Sequence, residues 1–290
     1  MLAVSSVLGN RQSLDGGAMF GNVPRALWQR WCPADELGRI ELACRAFLVQ
    51  DGDKTILVEA GVGAFFPPHL AERYGVVEPH HQLLISLEEL GVTHEQIDVV
   101  VLSHLHFDHA GGILSAFEQG QAPRLLFPKA QFLVGSVAYE RACAPHPRDR
   151  ASFVPELVSL LRESDRLQLI AEGQTSHPLL GERARLFTSH GHTPGMLLTT
   201  FMGHTHSATF CADLIPGAPW VHVPVTMGYD RYPELLIDEK VALYEALGVG
   251  SWLLFTHESH FAAGRLARDE RGKYFLDATR EPLVHWDLDA

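Results

Sequence analysis

Between residues 97 and 112 the chain reads Ile-Asp-Val-Val-Val-Leu-Ser-His-Leu-His-Phe-Asp-His-Ala-Gly-Gly. The run Ile97 to Leu102 is almost continuously apolar, the pattern of a strand buried on both faces, and such a strand requires packed layers on either side of its sheet. Straight after it, His104, His106, Asp108 and His109 put four potential metal ligands into six residues. Divalent metals take imidazole nitrogen and carboxylate oxygen, and a catalytic site keeps a coordination position open. In an extended backbone His104 and His106 point the same way, because side-chain direction has a period of two. Asp108 and His109 lie past the bend and are placed to face a second ion. The pair Gly111-Gly112 predicts a sharp backbone turn into a helix. A chance cluster of solvated polar residues is hard to reconcile with this position and spacing.

The remaining pattern predicts one α+β domain spanning 1–290, with 1–42 as an N-terminal arm that folds over the cleft or serves a dimer interface. Ala43 to Gln50 and Lys54 to Glu59 read as a hairpin around Asp51-Gly52-Asp53. Helices are expected over Pro79 to Leu90, Ser136 to Cys143, Phe153 to Glu163 and Pro233 to Leu247, with Gly91 as a helix stop and Thr93 and Gln96 as a capping box. Further strands are expected at Gln131 to Val134, Arg166 to Ile170, Ala184 to Thr188, Met196 to Met202, Ser207 to Cys211, Trp252 to Phe255 and, last, Lys273 to Leu276. Strands in two clusters with interspersed helices imply two packed sheets with helices outside.

Three more candidate ligands each follow an apolar strand: His192 in Gly191-His192-Thr193-Pro194-Gly195, Asp213 after Ala208 to Cys211, and His257 after Trp252 to Phe255. The order H-x-H-x-D-H, G-H-T-P-G, strand-end Asp and strand-end His resembles the metallo-β-lactamase superfamily of hydrolases. That resemblance implies an αββα sandwich of two mixed sheets flanked by helices, with two divalent metal ions at one edge. It further implies that His104, His106 and His192 hold one ion, that Asp108, His109 and His257 hold the other, and that Asp213 bridges them. Zinc is the expected metal, with manganese, cobalt and iron as alternatives.

Leu14 to Gly21 (LDGGAMFG), Ser103 to Gly112, Cys211 to Pro216 (CADLIP) and Gly228 to Pro233 (GYDRYP) are similar to the quorum-quenching N-acyl-homoserine lactone lactonases of the YtnP-like branch. The implied activity is ring opening of a lactone with an apolar acyl tail, through a metal-stabilised tetrahedral intermediate. Expected catalytic groups are Asp108, Asp213 and Tyr229; Met19, Phe20, Phe107 and Tyr229 are the expected substrate contacts. Related lactonases carry a Tyr three residues past the bridging Asp, where this chain has Pro216, so Tyr229 serves only if the fold brings it to the cleft. Two other departures are Glu59, where many relatives have Asp, and Met196, where many have His. Alternatives on the same metals are hydrolysis of organophosphate triesters or arylesters and, in another class, iron-dependent redox chemistry.

Charge narrows the partners. The formal net charge is −12, from 23 basic and 35 acidic residues, which argues against a polyanion such as nucleic acid. No apolar run approaches the ~18 residues of a membrane span, and Met1 to Asn10 lacks a basic signal region. A cytoplasmic protein with a small lactone or ester substrate, no membrane partner and the option of a homodimer is expected. Cys32, Cys44, Cys143 and Cys211 form no C-x-x-C pair and read as reduced core thiols. Of the other histidines, His204 and His206 read as a solvated hairpin turn, His80 and His81 as surface residues opening a helix, and His190 as either a support for His192 or a polar loop residue.

Overall fold

A computed structural model describes residues 1–290. Two mixed sheets form the frame. The first has seven strands in the order Trp286–Asp287, Leu2–Val7, Ala46–Asp51, Lys54–Val58, Val99–Leu102, Gln131–Gly135 and Leu167–Ile170. Its first four strands pair antiparallel and the last three join in parallel. The second has six, in the order Tyr274–Arg280, Ala263–Arg268, Trp252–Leu254, Ser207–Phe210, Met196–Met202 and Ala184–Ser189. One parallel pairing, Ser207–Phe210 with Trp252–Leu254, interrupts its antiparallel ladder.

Alternation along Val99–Leu102 builds the layers. Val99 and Val101 enter the core between the sheets with Phe47, Val58, Leu197 and Phe210. Val100 and Leu102 face outward and pack with Leu83 and Leu87 of helix Gln82–Glu89 and with Leu157 and Leu161 of helix Pro155–Glu163. Helix Pro233–Leu247 adds Leu236, Leu243 and Tyr244 to the core of the second sheet. The arrangement is the expected αββα sandwich. Both faces of Val99–Leu102 are covered, as its unbroken apolar run requires.

Several local expectations are corrected. Leu2–Val7, expected within an arm, is an inner strand of the first sheet. The rest of the arm pairs Gln12–Asp15 with Arg39–Leu42 and carries short helices at Gly16–Phe20 and Arg25–Trp28. It lies against the loop around residue 228, where Gly228 N–H donates to Ala18 O at 2.8 Å and Trp220 Nε1 donates to Met19 O at 3.1 Å. The helix expected from Pro79 begins at Gln82, and His81 at its head is buried beside Leu114 O at 3.2 Å rather than exposed. Helix Pro155–Glu163 starts later than expected because Phe153 pairs with His106 in a β-bridge. Strand Ala263–Arg268 was not anticipated, and its partner Tyr274–Arg280 runs past the predicted Leu276. Cys143 is exposed, so only Cys44 and Cys211 are core thiols.

Gly111-Gly112 is needed for a different reason from the one expected. The pair forms a tight single turn after the motif. A Cβ on Gly112 would lie 2.0 Å from Ala60 O, so it is close backbone approach that requires glycine.

Candidate metal centre

Seven side chains converge at one edge of the sandwich. His104 and His106 leave the end of Val99–Leu102 on extended backbone, and helix Phe107–Ala110 then carries Asp108 and His109. His192 sits in the loop between Ala184–Ser189 and Met196–Met202; Asp213 sits in the turn Ala212–Leu214 after Ser207–Phe210; His257 follows Trp252–Leu254. Asp108 is half-buried and the other six are buried.

The donor atoms form two triads. His104 Nε2 lies 2.9 Å from His106 Nδ1, which lies 3.3 Å from His192 Nε2. Around His109 Nε2 and His257 Nε2, Asp108 Oδ2 stands 3.8 and 3.7 Å away. Asp213 lies between the triads: Oδ2 is 3.1 Å from His192 Nε2 and 3.2 Å from His109 Nε2, and Oδ1 is 3.3 Å from His257 Nε2. Ligand atoms at zinc bond lengths of about 2.0–2.1 Å stand about 3.3 Å apart along a tetrahedral edge, and these spacings bracket that value. His109 Nε2 and Asp213 Oδ1 are also buried without hydrogen-bond partners. Buried polar atoms are normally satisfied, so converging unpartnered donors with this chemistry fit a divalent cation.

The far nitrogen of most rings is tied down, which turns the inward one toward the cluster and makes it the lone-pair nitrogen of the neutral ring. His109 Nδ1 donates to Glu59 Oε2 at 2.9 Å, His257 Nδ1 to Ala43 O at 2.7 Å, and His192 Nδ1 to Asp230 Oδ1 at 2.9 Å. His104 Nδ1 meets Ser103 Oγ at 2.9 Å, and that hydroxyl donates to Glu59 Oε2 at 2.6 Å. Glu59 is fully buried at φ 70° and also accepts from Ser103 N at 2.8 Å. The longer carboxylate thus reaches one histidine of each triad. Exchanging it for an amide puts a donor among donors, and Glu59→Gln is expected to lower metal affinity by about 10–100-fold with the fold retained. Chelator competition on the folded variant reads this; unchanged affinity would assign Glu59 to packing alone.

Electrostatics separate the histidines. Burial and the neighbouring imidazoles hold His104 and His106 well below the usual histidine range, the neutral form a ligand requires. Burial opposes charge on His109, His192 and His257 too, yet the groups around them, Asp213 first, together outweigh it and raise all three; Asp108 and Glu59 add to the effect on His109, Asp230 on His192 and Cys44 on His257. For Asp213 burial favours the neutral acid, but the same three rings hold it well below the carboxylate range. A field that favours positive charge here suits a metal cation equally.

The cluster opens into a cavity of about 430 Å3. Met19, Phe107 and Tyr229 line it with His106, Asp108, His192, Asp213 and His257, and the fold therefore does bring Tyr229 to the cleft. Phe20 does not reach it. Its ring is stacked between Trp28 and Trp220 at 5.6 and 4.5 Å and is wholly buried, so the expected substrate contact is a core residue that anchors the arm. Tyr74, absent from the expected set, lines the cavity with its ring 4.8 Å from that of Phe107. Asp230 was missed as well, although its neighbour Tyr229 was singled out. The signal for it was the general need of a ligating histidine for an acceptor at its second nitrogen. His190 braces its own loop, accepting from Gly195 N at 3.2 Å and lying 3.3 Å from Glu172, away from the donors. Met196 is buried core.

Comparison with known proteins agrees with this geometry. Residues 39–256 match the family model of the metallo-beta-lactamase superfamily. A probable metal-dependent hydrolase from Staphylococcus aureus is 26% identical, with 98% of each chain covered and a TM-score of 0.83. AidC, a dizinc quorum-quenching lactonase solved with a product N-hexanoyl-L-homoserine, shares the fold at 18% identity, with 97% of this chain and 96% of that one covered and a TM-score of 0.73. An N-acyl homoserine lactone hydrolase, with its product at the catalytic metal center, shares it at 18% identity, 89% and 93% coverage and a TM-score of 0.63. With a family model over well more than half of its length and this donor set at the sheet edge, the chain belongs to the metallo-beta-lactamase superfamily of metal-dependent hydrolases.

Proposed function

We propose that the protein opens lactone rings, N-acyl-homoserine lactones foremost, and so acts in quorum quenching. Two divalent ions, zinc first, would be held by His104, His106 and His192 and by Asp108, His109 and His257, with Asp213 shared. The observation that carries this reading is the pair of donor triads joined by one carboxylate and opening into a cavity with an apolar wall of Leu14, Met19, Phe107 and Met227. Such a wall suits an acyl tail. Bound there, the ion pair supplies an acidified water and a Lewis acid for the ester carbonyl.

The protein's own groups do the rest. Asp213 keeps the two triads at a fixed separation, and Asp108 is half-buried at the cavity floor beside His109 and His257. Opening the ring breaks the acyl carbon–oxygen bond and leaves an alkoxide that needs a proton or a hydrogen-bond donor. Tyr229 is 42% exposed on the cavity rim. Burial and the carboxylates of Asp108 and Asp15 raise its pKa, so its phenol keeps its proton and is available to donate to that oxygen. No helix is long and apolar enough to cross a membrane, and the four free thiols support a reducing, cytoplasmic setting.

The rings of Tyr74 and Phe107, which line the same cavity with Phe66 packed against both, favour a second substrate, an aryl phosphotriester or arylester. One assay separates the two, because a planar ring ester and a tetrahedral phosphorus demand different cleft shapes. With both sites loaded, kcat/KM for N-hexanoyl-homoserine lactone in a pH-stat should exceed that for an aryl phosphotriester by at least ~100-fold. Protein that retains its metal and opens no lactone would overturn the reading.

A further inference from the structure

The segment between helices Ser136–Cys143 and Pro155–Glu163 is fastened to the metal motif. Phe153 forms a β-bridge with His106, and their rings lie 4.9 Å apart. This brings Arg148, Asp149 and Ser152 into the cavity wall, a polar stretch beside the apolar one. Arg148 Nη2 donates to Gly228 O at 2.7 Å and so links this segment to the loop that carries Tyr229. Its remaining guanidinium donors take no protein acceptor, and the side chain is exposed.

Asp149 is only 8% exposed. Its Oδ2 accepts from Arg141 at 3.0 Å (Nε) and 2.6 Å (Nη2), and Arg231 Nε stands 3.9 Å from the same oxygen. Oδ1 is buried and has no partner. A carboxylate clamped on one oxygen and left open on the other is costly unless something donates to it. Nothing in the metal chemistry uses this residue.

We propose that Arg148 and Asp149 together read a secondary amide in the substrate, with Asp149 Oδ1 accepting from the amide N–H and Arg148 donating to the amide carbonyl. An amide has one donor and one acceptor, the complement of this pair. The proposal rests on the lactonase reading and sharpens it, because it assigns to two named residues the choice of N-acylated lactones over lactones with a plain alkyl tail. A plain alkyl ring fills the apolar wall but leaves a buried acceptor unpaired, and sites built to hydrogen-bond a substrate reject the analogue that lacks the group. Ligand-free, the clamp by Arg141 holds the Asp149 carboxylate in place.

The test compares kcat/KM for N-hexanoyl-homoserine lactone and γ-decalactone, which lacks the amide, on metal-loaded wild type, Arg148→Met and Asp149→Asn. Wild type should favour the amide-bearing ring by at least ~100-fold. Arg148→Met, an exposed change, should cut that ratio by about tenfold. Asp149→Asn should cut it by at least as much, since Arg141 holds the amide oxygen and the new NH2 faces the substrate N–H. A general loss of structure lowers both rates and leaves the ratio standing. A ratio unchanged in Arg148→Met and Asp149→Asn, with both rings opened, overturns this inference and leaves the lactonase reading intact. Opening of neither ring by metal-loaded wild type overturns both.

Discussion

Asp213→Asn is expected to reduce lactone-opening kcat/KM by at least ~1000-fold and to lower the bound metal below two ions per chain. The carboxylate is the only anionic group within 3.3 Å of ring nitrogens from both triads, reaching His192, His109 and His257. Two dications a few ångströms apart repel, and a shared anion offsets part of that repulsion. Asparagine keeps the shape but replaces an anionic oxygen with a neutral group, one face of which is a donor. Three buried imidazoles that Asp213 helps to hold above their usual range then lose part of the charge that balances them. Losing the ligand that the proposed ion pair would share should cost more than the 10–100-fold typical of an outer hydrogen bond. A thousandfold corresponds to about 4 kcal/mol. Metal analysis alongside steady-state kinetics checks both halves, and a variant that keeps two ions and activity within tenfold of wild type removes Asp213 from its role.

The clustering of the candidate ligands was readable from sequence because four of them mark the end of an apolar strand, and parallel or mixed sheets collect such ends along one edge. His104, His192, Asp213 and His257 all stand where a run such as Val99–Leu102 or Trp252–Leu254 gives way to a loop. The hydrogen bonds behind those ligands were far less readable. Asp230 lies 38 residues from His192 and Glu59 lies 50 from His109, and no local pattern links either pair. Phe20 failed for a geometric reason: neighbouring residues in a helical turn point about 100° apart. Met19 therefore meets the cavity while Phe20 turns into the stack of Trp28 and Trp220. Leu2–Val7 was misplaced because its outer partner, Trp286–Asp287, lies at the opposite end of the chain. Pairing over such a distance leaves no periodic trace beyond the strand's own few residues. The Arg148–Asp149 wall gave no signal at all, since an Arg-Asp pair in a loop is ordinarily a solvated surface feature.

Stripping the metal with a chelator is expected to lower the melting temperature by at least about 10 °C, and two equivalents of zinc, not one, should be needed to restore it. Without cations the edge of the sandwich holds five buried imidazoles and a buried carboxylate, with His109 Nε2 and Asp213 Oδ1 unpartnered. Each ion that binds only the folded chain stabilises it by about 4 kcal/mol at a thousandfold excess over its dissociation constant. A domain somewhat smaller than this one shifts by ~2–4 °C per kcal/mol, so even one tight site moves the transition measurably. The second equivalent carries the structural argument. The triad of His104, His106 and His192 has the closer spacings, 2.9 and 3.3 Å, against 3.7 and 3.8 Å from Asp108 to His257 and His109. The first zinc should therefore fill the all-histidine triad and recover part of the lost stability. The second should recover the remainder together with activity, because its triad contributes Asp108, the one half-buried side chain of the seven, to the cavity wall beside His257. Full recovery of both at one equivalent would establish a single working ion and reduce Asp108 to a polar residue of the cleft.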